Sequence, residues 1–165
     1  MPPDRPARGP GEWVLLSYRM PREPSTPRIT VWRKLKRLGV AQLSDGLVAL
    51  PADARTREQL EWLADEAIEA GGTASIWLAR PASLAQEREL ATAMAAARAA
   101  EYQAVIDQAA EATGSTHTAA AVRRLRAELR RIGRRDFFPP PERDRAHAAV
   151  RALAEQTETP KEENA

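Results

Sequence analysis

Arg33, Lys34, Lys36 and Arg37 crowd one short stretch, TVWRKLKRLG, with Arg28 just upstream and Trp32 beside them. Held on a helix, such cations meet successive phosphates of a nucleic acid, and each phosphate neutralised adds a salt-sensitive increment of affinity. The same pattern also suits the solvated face of an amphipathic helix, and Trp32 fits either a buried stripe or the rim of an interface. A second cationic group is denser. Arg123, Arg124, Arg126, Arg130, Arg131, Arg134 and Arg135 stand against Glu128 alone within thirteen residues. Like charges at helical spacing repel one another. Either the acidic middle of the chain packs alongside them, or they bind phosphate or another oxyanion.

Residue types that carry covalent or metal chemistry are scarce. There is no cysteine, which excludes disulfides, thiolate zinc sites and cysteine nucleophiles, and makes a cytoplasmic home the default expectation. His117 and His147 lie thirty residues apart without the carboxylate spacing of a metal site. No serine sits in a nucleophile-elbow context, and Gly71-Gly72 reads as a helix end with no phosphate-loop companion. The expectation is therefore a non-catalytic protein with no catalytic residues, no metal and no cofactor.

The elements that must carry these cations are legible from hydrophobic period and turn residues. EWVLLSYRM reads as a buried strand closed by Pro21. Thr26 offers a helix cap and Pro27 a first helical residue, with Gly39 at the far end. Val31, Trp32, Leu35 and Leu38 form the inward face of that helix. Asp45-Gly46 between short apolar runs signals a hairpin. Thr56 and Gln59 have capping-box spacing for a second helix, with Leu60, Leu63, Ala64, Ala67 and Ile68 as its stripe. TASIWLARP supplies a fourth strand. The order β-α-β-β-α-β is the ferredoxin-like, or split βαβ, arrangement.

Past this core the chain reads as wholly helical. A long alanine-rich helix capped by Ser83 and Gln86 directs Leu90, Met94, Tyr102, Val105 and Ile106 inward. The arginine-rich helix follows, with Val122, Leu125, Leu129 and Ile132 as its narrow apolar stripe. A last helix comes after RRDFFPPP. The fold class expected is α+β: a disordered arm over 1–11, a ferredoxin-like core over 12–81, an all-helical C-terminal extension over 82–156 packed on it, and a disordered tail over 157–165. No apolar run approaches the ~20 residues needed to cross a bilayer. An open sheet edge together with an alanine-lined helix makes a homodimer the expected assembly.

Charge is segregated along the chain. Residues 1–40 carry +6, residues 41–115 carry −7 and residues 116–165 carry +3, although the total is only +2. Local fields of this kind steer charged partners where a balanced surface does not. Nearly all the cations are arginine, whose planar fork suits bidentate oxyanion contacts. A GC-rich coding sequence yields the same bias without functional cause.

Several segments together, WVLLSYRMPREPSTPRITVWRKLKRLGV, LSDGLVALPA, TREQLEWLADEAIEAGGTASIW and LRRIGRRDFF, resemble the N-terminal domain of the chromate-resistance regulator ChrB family. The likeness spans roughly residues 13–138. Element order is similar, more loosely, to the ferredoxin-like part of PaaX-type repressors and to Cas2. The resemblance implies a cytoplasmic transcriptional regulator that binds the operator DNA of a chromate-efflux gene, and the cationic pattern of the first helix makes Arg28, Arg33, Lys34, Lys36 and Arg37 the expected DNA-binding set. It also implies a response to chromate, a tetrahedral dianion. Tyr18, Arg19 and Arg135 would supply its donors if the first strand meets the Arg-Asp-Phe-Phe block, although Arg135-Asp136 also reads as a helix-ending structural pair. Cas2-like nucleases use an acidic residue after the first strand, where SYRMPRE has Arg19 instead, which argues against cleavage. Full-length members of the family carry a second domain, so a separately encoded sensor domain joins chromate and DNA among the expected partners. Two other classes compete: an interaction module that docks such a sensor without touching DNA, and an oxyanion-binding enzyme.

Overall fold

The computed structural model describes residues 10–158. Their order is β1 (Trp13–Arg19), α1 (Ser25–Leu38), β2 (Ala41–Ser44), β3 (Leu47–Pro51), α2 (Ala54–Glu69), β4 (Thr73–Ala79), α3 (Leu84–Ala112), α4 (Thr118–Arg134) and α5 (Glu142–Glu158). The four strands form one antiparallel sheet in the order β2-β3-β1-β4. The expected α+β class is thus observed: a four-stranded sheet with interleaved helices, then three helices. The chain divides into two compact units, one ending at Met94 and one beginning at Ala95.

In the first unit β1 is a central strand, and its alternation fixes both sheet faces. Val14 and Leu16 are fully buried on one face, opposite Leu50 and Val48 of β3 in register. Val31 and Leu35 of α1 and Leu60, Leu63, Ala64 and Ala67 of α2 are buried with them. Trp13 points to the other face, only 3% exposed, and shares a small cavity with Leu15, Ala49 and Leu90. The start of α3 therefore belongs with the sheet. This is why the first unit runs past residue 81 to Met94.

Local signals resolve with small shifts. Helix α1 begins at Ser25 with Pro24 at its N-cap, ahead of the expected Thr26 cap, and makes no side-chain cap bond. Val31 and Leu35 take the buried positions while Trp32 and Leu38 are half-buried, because the inward stripe is narrower than the four apolar residues suggest. For α2 the cap is Asp53, whose carboxylate accepts from Thr56 N at 2.7 Å while Thr56 Oγ1 accepts from Asp53 N at 3.0 Å. Thr56 is thus the N3 residue that closes the capping box, not the cap that opens it. Ser83 Oγ accepts from Gln86 N at 3.1 Å at the start of α3, as its spacing predicts.

The second unit is built on Tyr102 and Val105 of α3, Val122, Leu125, Leu129 and Ile132 of α4, and Val150 and Leu153 of α5, all buried in one cluster. At the chain ends, Gly11 N donates to Glu87 Oε2 and Arg80 donates to Pro10 O, so residues 10 and 11 are tied to the first unit. Thr157 and Glu158 still belong to α5. The rest of the expected arm and tail, 1–9 and 159–165, lies outside the described residues.

Asp45 and Gly46 form the β2–β3 turn, where Gly46 alone takes the left-handed backbone, φ 73°. Its carbonyl accepts from Tyr18 N at 2.8 Å, and a Cβ there would stand 2.5 Å from Tyr18 O. Gly46→Ala should lower stability by about 1–3 kcal/mol through left-handed strain and that clash. The urea midpoint measures it.

Candidate functional site

Three cationic surfaces can be followed from their elements upward. On α1 successive residues advance about 100° around the axis. With Val31 and Leu35 inward, this turns Ile29, Arg33, Lys36 and Arg37 outward and Trp32 to a flank. Arg33 and Arg37 are exposed, and among the described residues no carboxylate lies within ion-pair reach of either. Lys36 Nζ sits 5.5 Å above the Trp32 ring, a cation–π contact that keeps the ammonium at the surface. Lys34 is different. Its Nζ is 2.7 Å and 2.9 Å from the two oxygens of Glu66 on α2, so it bridges two helices of its own unit.

The second surface is an open cleft at one end of the sheet, about 1060 Å³, lined by Tyr18, Arg19, Arg28, Ser44, Asp45 and Ser75 among others. It brings Tyr18 and Arg19 of the expected oxyanion set together with Arg28 of the expected DNA set. Burial, followed by the neighbouring charge of Asp45, pushes the Tyr18 hydroxyl above its ordinary pKa. It therefore stays a neutral donor at physiological pH. Arg135, the third residue of that set, lies in the other unit. Its guanidinium is held 2.8 Å from Glu101 and its side chain is 16% exposed.

The third surface belongs to α4, whose buried residues Ala121, Val122, Leu125, Leu129 and Ile132 share one face. Opposite them Arg123, Arg126, Arg130 and Arg134 align within an arc of about 80° and a rise of about 16 Å. Arg123, Arg126 and Arg130 are exposed, with no carboxylate in ion-pair range among the described residues. Arg124 and Arg131 occupy another flank, over a groove that also holds Glu101 and Glu128. Arg131 is bound there to Glu128 at 2.6 Å. The six arginines thus split into an outward ridge and a partly neutralised flank.

Sequence reasoning missed a polar network on α3. Tyr102 is completely buried and its hydroxyl donates to Asp136 Oδ2 at 2.7 Å. Arg98 stands 3.1 Å from Glu101, which in turn holds Arg135. Asp136 and Arg135 are therefore anchored by α3. The available signal was the spacing of Arg98, Glu101 and Tyr102, one helical turn apart among alanines. Among the described residues no group of three His, Cys, Asp or Glu side chains is placed to hold a metal, and no helix is long and apolar enough to cross a membrane. His117 is exposed and His147 half-buried.

An antiparallel sheet with interleaved helices, one of them with exposed cations, and a helical unit with exposed arginines on α4 define a small α+β protein. The chain belongs to the family described as Protein ChrB, N-terminal, whose family model matches residues 28–163. It is similar to Protein ChrB of Cupriavidus metallidurans (strain ATCC 43123 / DSM 2839 / NBRC 102507 / CH34), 31% identical over 143 residues covering 77% of this chain and 40% of that protein. The chain spans well under half the length of that curated relative. No solved structure gives a significant match.

The Tyr102–Asp136 bond carries a pH signature. Burial, then the bond to Asp136, raises the Tyr102 pKa in the folded chain. An unfolded chain releases that proton near pH 10, whereas the folded chain keeps it. Stability contributed by Tyr102 is thus intact below about pH 10 and declines above it. Tyr102→Phe should cost about 1–3 kcal/mol at neutral pH by leaving the part-buried Asp136 Oδ2 without its donor, and should flatten the alkaline decline. Urea unfolding across a pH series reads both effects.

Proposed function

We propose that this chain is a non-catalytic, cytoplasmic DNA-binding regulator of chromate resistance, with a ferredoxin-like first unit. The β-α-β-β-α-β order and the strand order β2-β3-β1-β4 support the fold name. The family membership supports the biological setting. The observation that carries DNA binding is the outward arginine ridge of α4. Three exposed guanidinium groups without carboxylates, on a helix anchored by its opposite face, present fixed positive charge to a polyanion. On α1, Arg33, Lys36 and Arg37 offer a second set of phosphate contacts. Lys34 contributes to the fold through Glu66 and is not assigned to DNA.

Within the same role the sheet-end cleft is the chromate candidate. Arg19, Arg28 and the neutral Tyr18 hydroxyl line it, opposed by Asp45. Calorimetric titration with chromate should give heat that is lost in Arg28→Ala; equal heat in that variant removes the cleft from the reading.

Fluorescence anisotropy with a duplex from upstream of a chromate-efflux gene, across a salt series, tests the main reading. The combined change Arg123→Ala, Arg126→Ala, Arg130→Ala should lower the slope of log K against log salt by about 3, close to one per phosphate contact. Arg33→Ala with Arg37→Ala should lower it by about 2. Lys34→Ala should leave the slope unchanged. If the wild-type chain retards no duplex even at low salt, the arginines serve an acidic protein partner, such as a separate sensor domain, and the DNA reading fails.

A further inference from the structure

The two edges of the sheet are treated differently by the sequence. Strand β2 has four residues and a register break between Gln42 and Ser44, a form of edge that resists pairing with another chain. Strand β4 has seven residues, TASIWLA, paired to β1 without a break from Thr73 to Ala79. It carries no charge, no proline and no bulge, the usual protections of a free edge. Trp77 is 59% exposed on one face of this strand and Leu78 46% exposed on the other. Ile68 of α2 is 53% exposed. Its helical angle puts it on the flank opposite Glu66, and so on the side of α2 away from α1.

We infer that β4 is a homodimer seam, pairing antiparallel with β4 of a second copy about a two-fold axis through Ile76. A two-fold axis normal to the sheet keeps each residue on its own face, so only registers centred on a residue are allowed, and centring on Ile76 engages all seven. Trp77 then lies opposite Ser75 of the second copy and Leu78 opposite Ala74, pairing large side chains with small ones. Trp77 Nε1 already donates to Ser75 Oγ within its own chain, at 2.9 Å, which holds the indole along the strand.

The layer of helices fits the same operation. Helix α2 packs over β1 and β4 about equally, so its axis runs some ~2.4 Å inside the edge strand, half a strand spacing. Adding the second β4 at ~4.8 Å sets the two α2 axes ~10 Å apart, the usual distance for packed helices. Ile76 lies ~10 Å along β4 from its start, which is level with the region of Glu61 on α2. The axis therefore brings the Arg57–Glu61 pair of each copy towards Asp65 of the other, and Ile68 towards Leu78 of the second copy. The partner is a second copy because side-chain pattern and spacing are both self-complementary about one axis. Four helices, α1-α2-α2-α1, then line one sheet face, and the two α1 helices stand about 30 Å apart, near the ~34 Å turn of B-DNA. That corollary rests on the DNA reading; the dimer does not.

Sedimentation of the full chain over a concentration series, without DNA, tests the seam. The wild type should reach twice its 18.2 kDa mass, while Trp77→Lys combined with Leu78→Lys should stay at the single-chain mass. Because the chain has no cysteine, Ile76→Cys gives a second reading that does not depend on the fold of the double variant. Directly opposed antiparallel residues lie within disulfide reach, so mild oxidation should cross-link Ile76→Cys and not Leu43→Cys on β2. A chain that stays monomeric with Ile76→Cys uncross-linked, or a dimer indifferent to both changes, overturns the seam whatever the DNA titration gives.

Discussion

The outward arginine face of α4 depends on the burial of its inward face. Arg123–Arg126, Arg126–Arg130 and Arg130–Arg134 are like-charge neighbours at i,i+3 or i,i+4, and together cost the helix about 1 kcal/mol. Val122, Leu125, Leu129 and Ile132 are each at most 5% exposed. Burying four such side chains stabilises by about 6–12 kcal/mol, an upper range because the unfolded chain already hides part of that surface. The apolar term wins by a wide margin. Repulsion that would fray an isolated helix is carried by α3 and α5, and the ridge remains rigid and positive.

Charge segregation along the chain has a structural purpose that the totals conceal. The acidic middle segment does not blanket the arginines. Glu66 takes Lys34, and Glu101 takes Arg98 and Arg135, each inside its own unit. Of these pairs, the partly exposed Lys34–Glu66 adds at most ~1 kcal/mol to stability. Their effect on the surface is larger. They neutralise the cations that face neighbouring helices, while Arg33, Arg37, Arg123, Arg126 and Arg130 keep their charge towards solvent.

Much of the fold was legible because period and turn chemistry agreed. The apolar run around Leu16, the Asp45-Gly46 turn and the stripes of α2 and α4 each had one consistent reading. The shifts are local and physical. Thr56 looked like a cap because Thr and Gln have capping-box spacing, but Asp53 precedes it with a stronger acceptor. Trp32 looked like core because it adjoins Val31, yet 100° of helical rotation puts it on the flank. Roles within the cationic sets were less legible. Lys34 and Arg33 are adjacent in sequence, and only the position of Glu66 on a different helix separates an internal bridge from an exposed charge. Likewise, no sequence spacing links Tyr102 to Asp136 across thirty-four positions.

The sheet-end cleft shows how one turn residue can govern a site. Gly46 takes a backbone that a Cβ would obstruct, and its carbonyl holds Tyr18 N. This fixes the end of β1 against the hairpin and with it the direction of Tyr18 and Arg19. Burial, and after it Asp45 in the same turn, raises the Tyr18 pKa, and Asp45 also sets a negative charge on the cleft wall. In the proposed reading, a dianion entering there would meet Arg19, Arg28 and the neutral Tyr18 hydroxyl, but also that carboxylate. A polyanion finds no such carboxylate along the ridge of α4. The two kinds of surface therefore differ in how their arginines are balanced, by a nearby carboxylate in the cleft and by none in ion-pair range on α4 among the described residues.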